Sequence, residues 1–316
     1  MNEPGAVVLA RHWDEPGSEL AFVTRSLAGA ASRWGPVSVL VPGRPDGSVA
    51  DGAFDVVTTG PDGAPAWPAG LSPDRTVIVD ELTPDTADLL AAVRPRAVLH
   101  LTTAPGTWTD PRWSPLRVAE VPEPASSPLA PLYVPVNDMA SRQRHHGFGF
   151  VGYILVLPNP ADHGTQPPEA VAWLTAALHD ADVVVVEDAV ASVWKGRALR
   201  GRVSVDTRMD LWRLLAHASV CVDLAPGALV ARECVEALRF GTPILVPAGP
   251  GAASAHAARG GGATFDDPSE LVTAADALRG PPAHDAASAS GRRYAQAAHG
   301  DSGAFVARVG SLLGAR

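Results

Sequence analysis

Short β-branched, apolar runs alternate with longer stretches in which apolar positions recur every three to four residues. That alternation predicts strands followed by helices. In the first half, strands are expected over Ala6–Ala10, Val37–Val41, Asp55–Thr58, Thr76–Val79 and Ala97–Leu101. Helices are expected over Ser18–Trp34 and Thr83–Val93, the second with Thr83 as N-cap and Pro84 at its first position. Strands that read as unbroken apolar runs are buried on both faces, as in a parallel sheet covered by helices.

Residues 104–131 are rich in Pro and Ser and interrupt the rhythm, which places the domain connection there or just after. Alternation restarts with a strand at Phe148–Leu157, a helix at Pro168–His179, and strands at Val183–Val186 and Arg202–Val205. The next helix, Thr207–Ala218, opens with a Thr207…Asp210 capping pair. A strand at Val220–Leu224, a helix at Ala231–Phe240 and a strand at Pro243–Val246 follow, then further helical stretches as far as Ala304–Leu313. Repeated βα units in both halves predict an α/β chain of two Rossmann-like domains facing a cleft, residues 1–135 and 136–316.

A chain of 316 residues has room for two such domains, and 46% hydrophobic against 19% charged residues excludes wholesale disorder. The net charge of −9, with no concentrated basic run, argues against nucleic acid and anionic lipid as partners. A small anionic ligand stays open, because a few arginines and a helix N-terminus can hold a phosphate. Cys221 and Cys234 each sit in an apolar run and read as reduced core thiols. The chain opens without a basic segment and long apolar run, and no run reaches the roughly 18 apolar residues of a membrane span. A soluble, cytoplasmic protein is the expectation.

From Ser219 to Leu278 an ordered set of motifs occurs: Glu236-Ala237 on a helix, Gly241-Thr242-Pro243, Gly260-Gly261-Gly262, and the helix start Asp267-Pro268-Ser269-Glu270-Leu271. In order and spacing this stretch resembles the nucleotide-sugar-binding half of GT-B glycosyltransferases of the family 4 type. More weakly, RPRAVLHLTTAP resembles a strand of that family ending in a histidine, and Tyr133-Val134-Pro135-Val136-Asn137 resembles the segment opening its second domain. The resemblance implies a GT-B fold with the last helix packing back on the N-terminal, acceptor-side domain. It also implies a transferase that moves a sugar from a nucleotide-diphosphate donor to an acceptor without a metal or other cofactor.

Carried over by position, the donor site would comprise Gly227, Ala228, Leu229, Val230 and Glu236, with the base near Val205 at a strand end. The loop Pro226-Gly227-Ala228 would aim backbone N–H groups at the diphosphate. Glu236 resembles the glutamate that accepts the ribose hydroxyls; an ion pair with Arg232 or Arg239 on the same helix is the other reading. Gly17 and Ser18 stand at the acceptor-side loop, and His100, Thr102 and His12 are the candidates for the reacting groups.

Three positions depart from the family. Ala228 replaces a glutamate that contacts the transferred sugar, Thr102 replaces a histidine, and Gly152-Tyr153-Ile154-Leu155 lacks the Arg and Lys that face the diphosphate. Loss of such a preorganised group costs about 10²–10³ in rate. Lys195, Arg197, Arg142 and Arg144 are candidate replacements for those cations. The departures keep a second reading open: a catalytically degenerate relative that binds a nucleotide, a glycan or a protein. A homo-oligomer is also left open.

Several conspicuous residues have plainer readings. His145-His146 reads as solvated, and Asp80-Glu81 as a cap for the Thr83 helix, with a general-base role as the other option. His12 has no carboxylate partner visible in the sequence pattern. Trp108 and Trp113 would stack on a sugar or pin their loop to the domain.

Overall fold

Val7, Val8 and Leu9 of the first strand are wholly buried, as a central strand with helices on both faces requires. The computed structural model describes residues 5–15, 18–42, 49–51, 54–59, 66–68, 70–102, 112–117, 151–157, 167–187, 190–225, 230–249 and 251–314. The chain divides into two units, Met1–Pro135 together with Ser302–Arg316, and Val136–Asp301.

In the first unit, β1 (Ala6–Leu9), β2 (Val37–Pro42), β3 (Val49–Asp51), β4 (Phe54–Thr59), β5 (Thr76–Val79), β6 (Ala97–Thr102) and β7 (Trp113–Arg117) form one sheet in the order β3-β4-β2-β1-β5-β6-β7. Every neighbouring pair is parallel except β3 with β4. The chain leaves β1 towards β2 on one side and returns to β5 on the other, so the winding direction switches between β1 and β5. Helix α1 (Glu19–Ala31) starts at Ser18, whose hydroxyl accepts the Ala21 N–H. Helix α2 (Pro84–Val93) starts at Thr83, whose hydroxyl accepts the Thr86 N–H.

The strand β7 was not expected, because Pro115 breaks its pattern. Among the described strands it lies at the sheet edge and pairs on one side only, where proline is tolerated. Trp113 packs on the core of β1, β5 and β6, which ties this segment to the unit.

In the second unit, β8 (Tyr153–Leu157), β9 (Asp182–Glu187), β10 (Val190–Lys195), β11 (Ala198–Ser204), β12 (Ala218–Asp223), β13 (Ile244–Pro247) and β14 (Ala263–Phe265) are ordered β11-β10-β9-β8-β12-β13-β14. From β9 to β14 all pairs are parallel, and β10 is antiparallel to both β9 and β11. The winding switch lies between β8 and β12. Tyr153, Leu155 and Leu157 enter one apolar core, while Ile154 and Val156 enter the other, the alternation expected of a doubly covered strand.

The helices of this unit are α3 (Pro167–Ala177), α4 (Arg208–His217), α5 (Arg232–Phe240), α6 (Ala252–Gly260), α7 (Pro268–Arg279) and α8 (Pro281–His299). Two starts and one end follow the motifs. Thr207 and Asp210 form a reciprocal capping box, and Asp267 accepts the Glu270 N–H at 2.9 Å. Gly241 ends α5 at φ 86°, in the left-handed region that favours glycine. The last helix, α9 (Ser302–Leu312), belongs to the first unit. Val306 O accepts from Trp34 Nε1 at 3.0 Å, and Leu313 O accepts from Arg96 Nη2 at 2.7 Å.

Candidate functional site

In a doubly wound sheet, ligands sit beyond the carboxyl ends of the strands at the winding switch. In the first unit those ends are Leu9 of β1 and Val79 of β5. Asp80, buried immediately after β5, accepts the backbone N–H groups of Arg11 at 3.1 Å and His12 at 3.2 Å, and its own N–H donates to Leu9 O. Asp80 therefore fixes the loop after β1. It is not the cap of the Thr83 helix that the sequence suggested, because Thr83 supplies that cap itself. Burial raises the Asp80 carboxyl above its ordinary pKa, against the pull of those N–H groups and of His12.

That loop carries His12. Its Nδ1–H donates to Glu15 Oε2 at 2.9 Å, and its Nε2 faces Glu81 Oε2 at 3.4 Å. A carboxylate can only accept, which places a proton on Nδ1 and leaves Nε2 to exchange one. Burial pulls the His12 pKa down, but the Glu15 hydrogen bond and the charges of Asp80, Glu15 and Glu81 outweigh it, so the net shift is upward. The carboxylate partners that the sequence pattern did not reveal are thus present. Next in the chain, Trp13 is buried under the Arg25 guanidinium, 5.0 Å from its ring, and Arg25 Nε and Nη2 both donate to Trp13 O.

His100 lies on β6 paired with Val79, at the same edge of the sheet but one strand further out, and burial lowers its pKa. Thr102 ends β6, where it pairs with Arg117. Ser18 is engaged as the α1 cap. Gly17 lies outside the described residues, as do Trp108, Arg142, Arg144, His145 and His146.

In the second unit the switch-point ends are Leu157 of β8 and Asp223 of β12. Asp223 is buried; it accepts the Ala225 N–H at 3.0 Å and the Cys234 Sγ–H at 3.2 Å, which links the strand end to α5. Burial raises the pKa of both Cys221 and Cys234, so both are protonated thiols in the core. Gly227, Ala228 and Leu229 lie outside the described residues. Where the chain resumes, Val230 is buried and Ala231 takes a left-handed conformation, φ 48°, unusual for a residue with a Cβ.

The Val230 carbonyl accepts from Nε2–H of His256 on α6 at 2.7 Å, and His256 Nδ1 accepts from Tyr294 on α8 at 2.8 Å. The carbonyl partner fixes this tautomer. Burial holds His256 neutral, with its pKa pushed down to about 4.

Glu236, one turn into α5, has no exposed surface. Its Oε1 accepts from Arg232 Nε at 2.9 Å and Arg208 Nε at 3.3 Å, and its Oε2 accepts from Arg208 Nη2. Arg208 Nη1 also donates to Glu233 at 2.5 Å. Burial raises the Glu236 carboxyl against the pull of both guanidiniums, while Arg208 and Arg232 keep about a quarter of their side chains exposed, 26% and 22%. Arg239, the other sequence candidate for Glu236, instead donates to His299 O and Gln296 Oε1. Arg208 was missed by sequence reasoning, since it lies 28 residues before Glu236. Its position at the first turn of a capped helix was the available signal.

Val205 follows β11 at the same sheet edge as the β12–α5 connection, because Ser204 pairs through Val190 with Glu187 at the end of β9. Lys195 and Arg197 are elsewhere. Lys195 pairs with Asp182, the first residue of β9, so this turn lies at the opposite, amino-terminal edge of the sheet. The five residues of β8, roughly 13 Å from first to last, separate the two edges. Among the described residues, no group of three or more His, Cys, Asp or Glu side chains could hold a metal ion, and no helix is long and apolar enough to cross a membrane.

No protein-family model matches the chain, and no curated protein matches it in sequence. Solved structures match it over nearly the whole length. Sucrose-phosphate synthase from Thermosynechococcus elongatus has a TM-score of 0.58 at 12% identity, covering 98% of each chain. WaaG, a glycosyltransferase involved in lipopolysaccharide biosynthesis, has a TM-score of 0.59 at 12% identity, covering 98% of this chain and 99% of its own. Anabaena Alr3699/HepE, solved in complex with UDP and glucose, has a TM-score of 0.58 at 13% identity, covering 99% and 100%. The chain has the GT-B fold.

Proposed function

We propose that this protein is a glycosyltransferase that moves a sugar from a nucleotide-diphosphate donor to an acceptor hydroxyl without a metal ion. The reading is supported most by His12, held at the winding switch of the first unit with its Nδ1 on Glu15, its Nε2 beside Glu81 and its backbone on Asp80. A histidine flanked by carboxylates is a general base whose protonated form is stabilised as it arises. The acceptor gives its hydroxyl proton to Nε2 as its oxygen bonds the anomeric carbon, and the bond from that carbon to the diphosphate breaks. Glu15, Glu81 and Asp80 then hold the imidazolium.

Charge develops on the leaving diphosphate, and cations fixed in advance stabilise it. Arg208 and Arg232 take that part in place of the pair that Gly152–Leu155 lacks. Both guanidiniums are held by Glu236, and both side chains keep part of their surface exposed. Glu236 then serves the donor chiefly through the arginines it positions, because both its oxygens are engaged. We assign the base to the matching strand end at Val205, which lies at the same sheet edge as the β12–α5 connection.

Calorimetry with UDP, GDP, ADP and TDP tests the donor half directly. Saturable binding of at least one, weakened by about tenfold or more in Arg232→Ala, is the expected result. No binding of any of the four would refute the reading.

A further inference from the structure

Lys195 and Arg197 are set apart from the donor side by the fold, and their surroundings have a character of their own. Where a doubly wound sheet ordinarily crosses over through a helix, β9 turns back directly into β10 and then β11, leaving the β10–β11 hairpin as the sheet's outer margin. Six of the seven residues of β11 are exposed, and among the described residues no strand pairs with its outer edge. An edge of this length presents a row of backbone donors and acceptors to solvent.

Two further features mark it. Residues 190–205 contain Lys195, Arg197, Arg200 and Arg202 and no acid, in a chain of net charge −9. Asp182 pairs with Arg200 at 2.9 Å, and the nearby Asp180 is taken by Arg279. The described residues leave three large apolar side chains exposed, and two of them, Val190 and Leu199, belong to this hairpin. Leu199 is paired across from Trp194 and Arg202 across from Ser192, so apolar and cationic positions share one face of the hairpin. Beside it, a cavity of about 280 Å³ is lined by Val171, Thr175, Val185 and Trp194, with one acid, Glu187, and one cation, Arg197, among its lining residues.

We infer that β11 is a docking edge for an extended acidic segment of a partner protein, which adds to the sheet as an eighth strand. Backbone hydrogen bonds supply the pairing, acidic side chains meet Arg202 and Arg197, and an apolar side chain covers Leu199. Charge chooses the occupant. A second copy pairing antiparallel about Gly201 would set Arg200 opposite Arg202 of the partner strand, and like charges directly opposed destabilise a sheet. Charged side chains on a bare edge oppose pairing with a like strand, and here the hairpin's own charges are all cationic and stand next to exposed apolar side chains.

The test uses the full chain and a synthetic peptide in which Glu alternates with Val and Tyr, alongside its counterpart with Lys in place of Glu. The acidic peptide should bind saturably and slow amide exchange across residues 198–204, and the Lys peptide should do neither. Arg197→Glu with Arg202→Glu, both at exposed positions, should weaken binding by about tenfold or more while leaving the melting temperature unchanged. Binding that ignores the charge reversal would overturn the inference, as would exchange slowed elsewhere. Self-association that depends on β11 would assign the edge to a second copy instead. Binding to phosphatidylglycerol vesicles without protection of residues 198–204 would assign the cations to a lipid surface.

Discussion

The carboxylate of Asp80 accepts the backbone N–H of His12 at 3.2 Å across 68 residues of chain, so the residue immediately after β5 sets the loop that follows β1. The imidazole is thereby presented beside Glu15 and Glu81, and it is partly open, with 24% of the side chain exposed.

A base must be neutral to accept a proton, and the neighbouring carboxylates raise the His12 pKa from its ordinary value of 6.5. The rate should therefore climb with pH through that raised pKa and level off above it. Glu15→Gln with Glu81→Gln removes two of the raising charges and should move the rising limb to lower pH, as read from kcat/KM against pH. An unmoved limb would assign the titration to another group.

Arg208 and Glu236 should be coupled in stability as well as in binding. Removing Arg208 leaves a buried carboxylate with one partner fewer, and breaking such a pair typically costs about 3–5 kcal/mol. Urea unfolding of Arg208→Ala, Glu236→Ala and the double variant should show the double costing much less than the sum of the singles. Additive losses would mean that the two residues act separately.

His256 predicts the acid limb of stability. Its folded pKa is about 4 against 6.5, so between these values the unfolded chain binds more protons and stability falls as pH falls. The contribution is about 3 kcal/mol across that window. His256→Phe should flatten this limb while being less stable at neutral pH, since the Val230 carbonyl and the Tyr294 hydroxyl both lose a partner. Unfolding measured from pH 7 to pH 4 checks both parts.

Much of the second unit was legible in the sequence because local chemistry sets it. Thr207, Asp267, Gly241 and Pro268 each act within four residues of themselves, and the structure uses them as caps and turns. The strand β10 was not legible: VASVWK lies between two strands where a crossover helix is usual, and its pairing is decided by tertiary context. The site was less readable than the fold. Glu15 is three residues from His12, but Glu81 and Asp80 are brought there by the sheet, and Arg208 reaches Glu236 from a different helix. Likewise, Lys195, Arg197 and Arg202 become one basic edge only once β10 and β11 pair.

Two glycines separate packing from propensity in the first unit. A Cβ on Gly310 would lie 2.4 Å from Trp34, whereas one on Gly29 would meet nothing within 4 Å. Gly310→Ala should cost about 1–3 kcal/mol by forcing α9 away from Trp34. Gly29→Ala, inside α1, should instead stabilise by about 0.5–1 kcal/mol. Thermal unfolding of the two variants distinguishes them by sign.

Donor consumption followed by mass spectrometry measures the central claim most directly. The protein should convert at least one UDP-, GDP-, ADP- or TDP-sugar to the free nucleoside diphosphate and a glycosylated acceptor in the presence of a metal chelator. His12→Ala should lower that rate by about 10²–10⁴ with the nucleotide affinity unchanged. Nucleotide binding without any turnover, or turnover indifferent to His12, would contradict the account.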